Sequence, residues 1–139
     1  MKHLIVLLSL CLLSTNISYK EDSFRKTNLE CLAANVYHEA RGESKLGQLA
    51  VAKVTLNRAK NGDYCKTVFE PYQFSWTIKN KNLNYDLNSY KIALQAKEAT
   101  HSLSDFSATH FHTTKVKPVW AKSLKRLRKI GNHIFYEER

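Results

Sequence analysis

Tyr37-His38-Glu39-Ala40-Arg41-Gly42-Glu43, continued by Gly47-Gln48-Leu49-Ala50-Val51-Ala52 and Leu56-Asn57-Arg58, places one carboxylate at a helix end and a second near the start of the next helix. Upstream, Leu29, Leu32, Ala33, Val36, Tyr37 and Ala40 recur at helical spacing, and Thr27 with Glu30 makes a T-x-x-E capping box. The pattern predicts a first helix from Thr27 to Arg41, stopped at Gly42, where a glycine lets the backbone turn away. Downstream, Leu46, Leu49, Ala50, Val51, Val54 and Leu56 cover much of one circumference. They predict a second helix from about Lys45 to Lys60, central and buried.

Further along, Gly62, Pro71, several asparagines and the aromatic cluster Phe69, Tyr72, Phe74 and Trp76 make residues 61–85 read mainly as loop, a natural place for a binding surface. Asn88 then caps a third predicted helix, Ser89 to Leu103, with Ile92, Ala93, Ala96 and Ala99 as its inward stripe. Beyond it the period falls to two. Ala108 to Thr113 and His133 to Tyr136 alternate as strands, with a basic stretch from Lys122 to Lys129 between them. The fold class expected is α+β, helices first and a small antiparallel sheet near the C-terminus, with no internal repeat or low-complexity tract.

A chain of 139 residues holds one core and is too short for two ordinary domains. Lys2 followed by Leu4 to Leu13, apolar except for Ser9, is shorter than the roughly 20 residues of a membrane span and reads as a cleavable signal peptide over residues 1–19. Small residues lie between Ser14 and Ser18 without a clean A-x-A site. Acylation at Cys11 is disfavoured by the bulk of Leu10, and an uncleaved anchor is the remaining alternative. Residues 20–26 form a polar lead-in, and residues 27–139 form the folded domain. Removing residues 1–19 takes Lys2 and Cys11 with it, leaving 21 basic against 12 acidic side chains, a net charge of +9, and two cysteines. In an exported protein Cys31 and Cys65 are expected to pair, with two buried thiols as the other reading; the bridge would stabilise by roughly 3–4 kcal/mol in the chain-entropy account. The charge suits an anionic partner, and nucleic acid, acidic lipid and anionic wall polymer all qualify.

Glu39 shares a helix face with Asn35 and Cys31, a face neither apolar nor highly charged. Partly shielded by aromatics there, its acidic form is favoured by desolvation, as a general acid for a sugar leaving group requires near neutral pH. The ordinary alternative is a surface glutamate paired with Arg41, Arg58 or a lysine. Glu43 offsets a helix dipole or orients Arg41 or the acid, and the separation of the two carboxylates is what divides retaining from inverting glycosidases. His38-Glu39 lacks the second histidine of the H-E-x-x-H zinc pattern, since Gly42 stands in its place. His110 and His112 share one side of a strand, able to ligate zinc with a carboxylate or to hydrogen-bond a polar substrate. Tyr72, Phe74, Trp76, Trp120 and Tyr136 suit the apolar faces of sugars, about two of the five facing a ligand and the rest the core. Gln73, Ser75, Asn57 and His112 are placed to meet hydroxyl and acetamido groups.

The order and spacing of these elements resemble the SleB-like cell-wall hydrolases, the family of the spore cortex-lytic enzyme. The residues that carry the resemblance are Asn35 to Glu43, Gly47 to Ala52, Leu56-Asn57-Arg58, Thr67-Val68, Gln73-Phe74-Ser75-Trp76, Ala108 to His112, Val116 to Trp120 and Ile130 to Tyr136. The resemblance implies a compact, lysozyme-like catalytic domain acting on peptidoglycan glycan strands between N-acetylmuramic acid and N-acetylglucosamine, with Glu39 as acid and base. It implies no cofactor and no metal. Either the sugar's own hydroxyl or water completes the reaction, as lytic transglycosylase or muramidase. Glu43, Gln73, Ser75, Trp76, His110, His112 and Trp120 are expected to shape the substrate groove. Longer members carry a separate peptidoglycan-binding module, and here the basic surface is expected to supply wall affinity. The partner expected is peptidoglycan, with no nucleic acid, no membrane span after signal cleavage, and a single chain as the working unit. Two rivals are a zinc-dependent hydrolase of wall peptides using His110 and His112, and a non-catalytic cationic wall- or nucleic-acid-binding module.

Overall fold

The computed structural model describes residues 27–98 and 100–139. The expected signal peptide, the lead-in and Ala99 of the third-helix stripe lie outside the described residues. Helix α1 covers residues 27–40. It is followed by α2 (Lys45–Arg58), α3 (Tyr64–Phe69), α4 (Trp76–Lys79), α5 (Leu87–Ala96), β1 (His110–Thr113), a 3-10 turn at Val119–Lys122, β2 (Lys125–Ile130) and β3 (His133–Glu137). Among the described residues the five helices thus precede a three-stranded antiparallel sheet of order β1-β3-β2, the α+β arrangement read from the periodicity.

The first helix differs from expectation at both ends. Thr27, expected as the cap, is itself helical, and Glu30 accepts a hydrogen bond from the Tyr85 hydroxyl at 3.0 Å. At the other end Ala40 is the last helical residue, and the Glu43 amide closes the corner on the Ala40 carbonyl at 2.9 Å. Gly42 does not adopt a positive φ, and a Cβ there would meet nothing, so this corner does not depend on glycine. Helix α2 lies where predicted, with the Ser44 hydroxyl accepting from the Gly47 amide at 3.3 Å. It buries Leu49, Ala50, Val51, Ala52 and Val54 against Leu32, Val36, Ile92 and Phe135.

Two helices occupy the region expected to be loop. Helix α3 has only six residues, too few to persist by propensity alone, and is held by tertiary groups. Asp63 accepts from the Lys66 amide at 2.9 Å, while Asn28 of α1 accepts from the amides of Tyr64 and Cys65 at 2.7 and 3.2 Å. The Cys31–Cys65 disulfide, with Cα atoms 5.1 Å apart, fastens the same turn to α1. Helix α5 starts on Asp86, whose carboxylate accepts from the Ser89 amide at 2.7 Å. The predicted cap, Asn88, donates instead to Gln48 Oε1. The helix ends at Ala96 and not at Leu103 because the buried His101 ring takes over: Nε2 bonds the Ala96 carbonyl and Nδ1 accepts from the Leu103 amide, both at 3.1 Å.

Strand β2 falls within the stretch read only as basic. Four of its six residues are Lys or Arg, a composition that suppresses further pairing at an exposed sheet edge and hides the alternation that marks a strand. A register shift between Arg126 and Arg128 breaks the period again. Phe111 and Phe135 lie on the inner face of the sheet; Phe135 is fully buried, and its ring sits 5.4 Å from Phe106. Among the described residues no helix is long and apolar enough to cross a membrane.

Candidate active site

Glu39 is the penultimate residue of α1 and is half-buried. Among the described residues its carboxyl makes no hydrogen bond or ion pair, so the surface pairing weighed above is absent. Burial pushes its pKa up from 4.5 to about 7, against the opposing pull of the Arg58 guanidinium. The negative end of the α1 dipole acts in the same direction as burial. The result is a carboxyl that holds a proton near neutrality and can give it up.

Arg58, the last residue of α2, spans the gap between the helices and the sheet. Its Nε donates to the Thr109 carbonyl at 2.6 Å and its Nη1 to the Gln73 carbonyl at 3.4 Å, with the guanidinium 5.0 Å over the Phe74 ring. A cleft of about 280 Å³ opens beside it, lined among others by Glu70, Gln73, His110 and Glu138. Burial and Arg58 both lower the His110 pKa, which keeps the imidazole neutral at physiological pH. A larger hollow of about 430 Å³ beside Tyr64, Lys97 and Asp105 shares none of these cleft residues.

A buried polar network supports α1 behind Glu39. Asn35 Nδ2 donates to Thr55 Oγ1 at 3.0 Å, and Asn35 Oδ1 accepts from Trp76 Nε1 at 2.8 Å. Trp76 in turn stacks on His38 with ring centroids 4.2 Å apart. The Nε2 of His38 is buried without a partner, and burial followed by Arg41 lowers its pKa.

The expected groove residues separate into groups. Gln73 and His110 share the Arg58 cleft. His110 and His112 both contact Trp120, at 5.5 and 5.6 Å, and His112 Nε2 lies 2.9 Å from the Tyr136 hydroxyl. Trp76 belongs to the Asn35 network, and Ser75 is exposed at the start of α4 with no capping bond. Glu43 stands apart: its two oxygens accept from the Asn132 amide and Nδ2 at 3.1 and 3.0 Å, which ties the α1–α2 corner to the β2–β3 turn. Asn57, which also lines the Arg58 cleft, donates through Nδ2 to the carbonyls of Phe106 and Ala108, both at 2.8 Å, and so ties α2 to the chain that leads into β1. Of the five aromatics, Phe74 and Tyr136 are buried, whereas Tyr72 is 93% exposed with a φ of 66° and Trp120 is 38% exposed. Among the described residues no three His, Cys, Asp or Glu side chains gather to hold a metal ion. Sequence reading treated Arg58 only as a possible surface partner of Glu39. Its place at the C-terminal end of a buried helix, where a cation is favoured, was the available signal of a larger role.

The profile of the Cell Wall Hydrolase family matches residues 42–136, more than half of the chain, and the chain belongs to that family. It is 29% identical over 119 residues to the spore cortex-lytic enzyme of Bacillus cereus, an alignment covering 82% of this chain and 46% of that protein. With the spore cortex-lytic enzyme of Bacillus subtilis it shares 27% identity over 118 residues, covering 82% and 39%. The chain thus spans less than half the length of these relatives. The solved catalytic domain of the Bacillus cereus SleB protein superposes with a TM-score of 0.70 at 28% identity, covering 81% of this chain and 91% of that one. The catalytic domain of the germination-specific lytic transglycosylase SleB from Bacillus anthracis gives 0.66 at 29% identity, covering 79% and 93%. Glu39 stands three residues before the stretch matched by the family profile.

Proposed function

We propose that this domain cleaves the glycan strands of peptidoglycan between N-acetylmuramic acid and N-acetylglucosamine, with Glu39 as the single acid and base. The observation that carries the reading is the unpartnered Glu39 carboxyl, its pKa raised to about 7, near the guanidinium of a cleft-lining arginine. Membership of a cell wall hydrolase family and likeness to a lytic transglycosylase support it. In the first step the Glu39 proton passes to the glycosidic oxygen and the bond to the muramic acid carbon breaks. The resulting carboxylate then takes the proton of the muramic acid's own hydroxyl as that oxygen closes on the same carbon, which restores the acid and consumes no water. Commitment of Glu43 to Asn132 favours this one-carboxylate route, since the neighbouring acid is already occupied. Gln73, Ser75, Trp76, His110, His112 and Trp120 shape the groove, and Glu43 contributes by positioning the β2–β3 turn.

The domain works, in this reading, as a single chain outside the cytoplasm, in keeping with the apolar run Leu4 to Leu13 and the Cys31–Cys65 bridge. Purified sacculi and mass spectrometry provide the test. The wild type should release anhydro-ended fragments, and Glu39→Gln should lower release by about 100- to 10,000-fold with the fold intact. Unchanged release by a folded Glu39→Gln protein would remove the assignment. Reducing ends in place of anhydro ends would replace the sugar hydroxyl with water and call for a second carboxylate, for which Glu70 and Glu138 line the cleft.

A further inference from the structure

We propose that the outer face of the sheet carries a second site, which takes the short acidic peptide branching from the glycan; this rests on the glycan-strand reading above. Residues paired across strands share a face, so Arg126, Tyr136 and His110 form one row and Lys129, Ile134 and His112 the next. The opposite face holds Phe111 and Phe135 against the helices. Over the outer face runs the chain from Thr114 to Lys122, and between the two opens a cleft of about 390 Å³.

The lining of this cleft has two parts. Val116, Pro118, Ala121 and Ile134 give it small apolar surfaces, and Val116 is half exposed with nothing packed over it. Lys117, Lys122 and Arg126 contribute three cations from the loop, the 3-10 turn and β2, and no acidic side chain lines the cleft. Among the described residues none of the three forms an ion pair, whereas Lys125, one residue from Arg126, is matched to Glu137 at 2.7 Å. Unmatched cations around an apolar floor complement a ligand that carries several carboxylates on a backbone with small apolar side chains. Once the lactyl carboxyl of muramic acid is bonded to the peptide, the sugars themselves are uncharged and use none of the cations. A phosphate polymer would use the cations and leave the apolar floor empty. Trp120, in contact with both His110 and His112, stands between this cleft and the Arg58 cleft, so a strand in one can place its peptide branch in the other.

Titration of the full chain with the free tetrapeptide alanine–glutamate–diaminopimelate–alanine, followed by NMR, tests the site without requiring catalysis. Resonances of Val116, Lys122 and Tyr136 should shift, and the affinity should fall about tenfold or more in Lys122→Gln/Arg126→Gln or when the peptide carboxylates are amidated. Lys125→Gln, outside the cleft, should bind the peptide as the wild type does. The ratio of cleavage on peptide-bearing strands to cleavage on strands stripped of peptide should fall about tenfold in the double variant. No shifts at millimolar peptide, equal binding of the amidated peptide, or tighter binding of a short polyphosphate on this face would each overturn the proposal. If the wild type cleaves neither kind of strand, the glycan reading fails, while the peptide titration still decides whether this site exists.

Discussion

Helix α1 is enclosed by its neighbours and crosslinked to α3, whereas the sheet is packed on one face only and crossed on the other by a single 3-10 turn. Residues 31–36 are all buried, Cys31 is bridged to α3, and Asn35 is hydrogen-bonded to two other helices. The outer sheet face instead carries histidines, a tyrosine and cations. An acid whose pKa depends on burial needs a surround that does not yield, and α1 provides one. A face that recognises a polymer can be open, provided it is held in register with the acid. Two polar ties serve that purpose: Arg58 to the Thr109 carbonyl, and Glu43 to Asn132.

The largest expected effect breaks the enclosed side of this contrast. Replacing Cys31 and Cys65 by alanine opens a crosslink between residues 34 apart and should cost about 3–4 kcal/mol, read from the urea midpoint. Phe135 of β3 belongs to the same core as Leu32 and Val51, so helices and sheet should lose stability together. Hydrogen exchange at β3 amides should lose as much protection as at α2 amides. Retained protection in β3 alone would show that the two regions unfold separately.

A smaller effect is expected at the tie between them. Gly131 has a φ of 55°, and a Cβ there would overlap the Glu43 carboxylate that Asn132 holds in place. Gly131→Ala should therefore cost about 2–4 kcal/mol, part from left-handed strain and part from loss of the Glu43–Asn132 bonds. In a Glu43→Ala background the same change should cost only about 1–2 kcal/mol, because only the strain remains. Equal costs in the two backgrounds would mean that Glu43 does not couple the corner to the turn.

The difference between the two regions also governs what could be read from sequence. Helix α2 was legible because its apolar residues are buried as a periodic set. The short helix α3 was not, since its caps include Asn28 from 36 residues upstream of Tyr64, and no local window contains that contact. Strand β2 was hidden by its charges and its bulge. At the candidate site, Glu39 was singled out by the family resemblance, since its mixed helix face alone favoured ordinary surface pairing, while His110 and His112 showed through strand alternation. Arg58 and the Asn35–Thr55–Trp76 network were not legible, because their meaning lies in partners brought together by the fold. The corner at Gly42 does not depend on its glycine; the glycines held at positive φ are Gly62 and Gly131, the second at the turn Glu43 reaches.

The smallest effect concerns Glu39 itself and separates its cost to folding from its use. In the unfolded chain the carboxyl titrates near 4.5 and in the folded protein near 7, so between these values the folded state binds more protons. Stability conferred by the protonated form is therefore complete below about pH 4.5 and is lost as pH rises toward 7, the reverse of an ion-paired carboxylate. Glutamine carries no charge to desolvate. Glu39→Gln should leave stability unchanged at pH 4 and raise it by about 1–2 kcal/mol at pH 8, after allowance for the partial exposure of the side chain. Urea unfolding at the two pH values measures the difference. Glycan cleavage by the wild type should decline over the same interval, as the fraction of protonated acid falls. If the variant gained nothing at pH 8, Glu39 would be ionised at no cost in the folded protein, and burial would not be what prepares it as an acid.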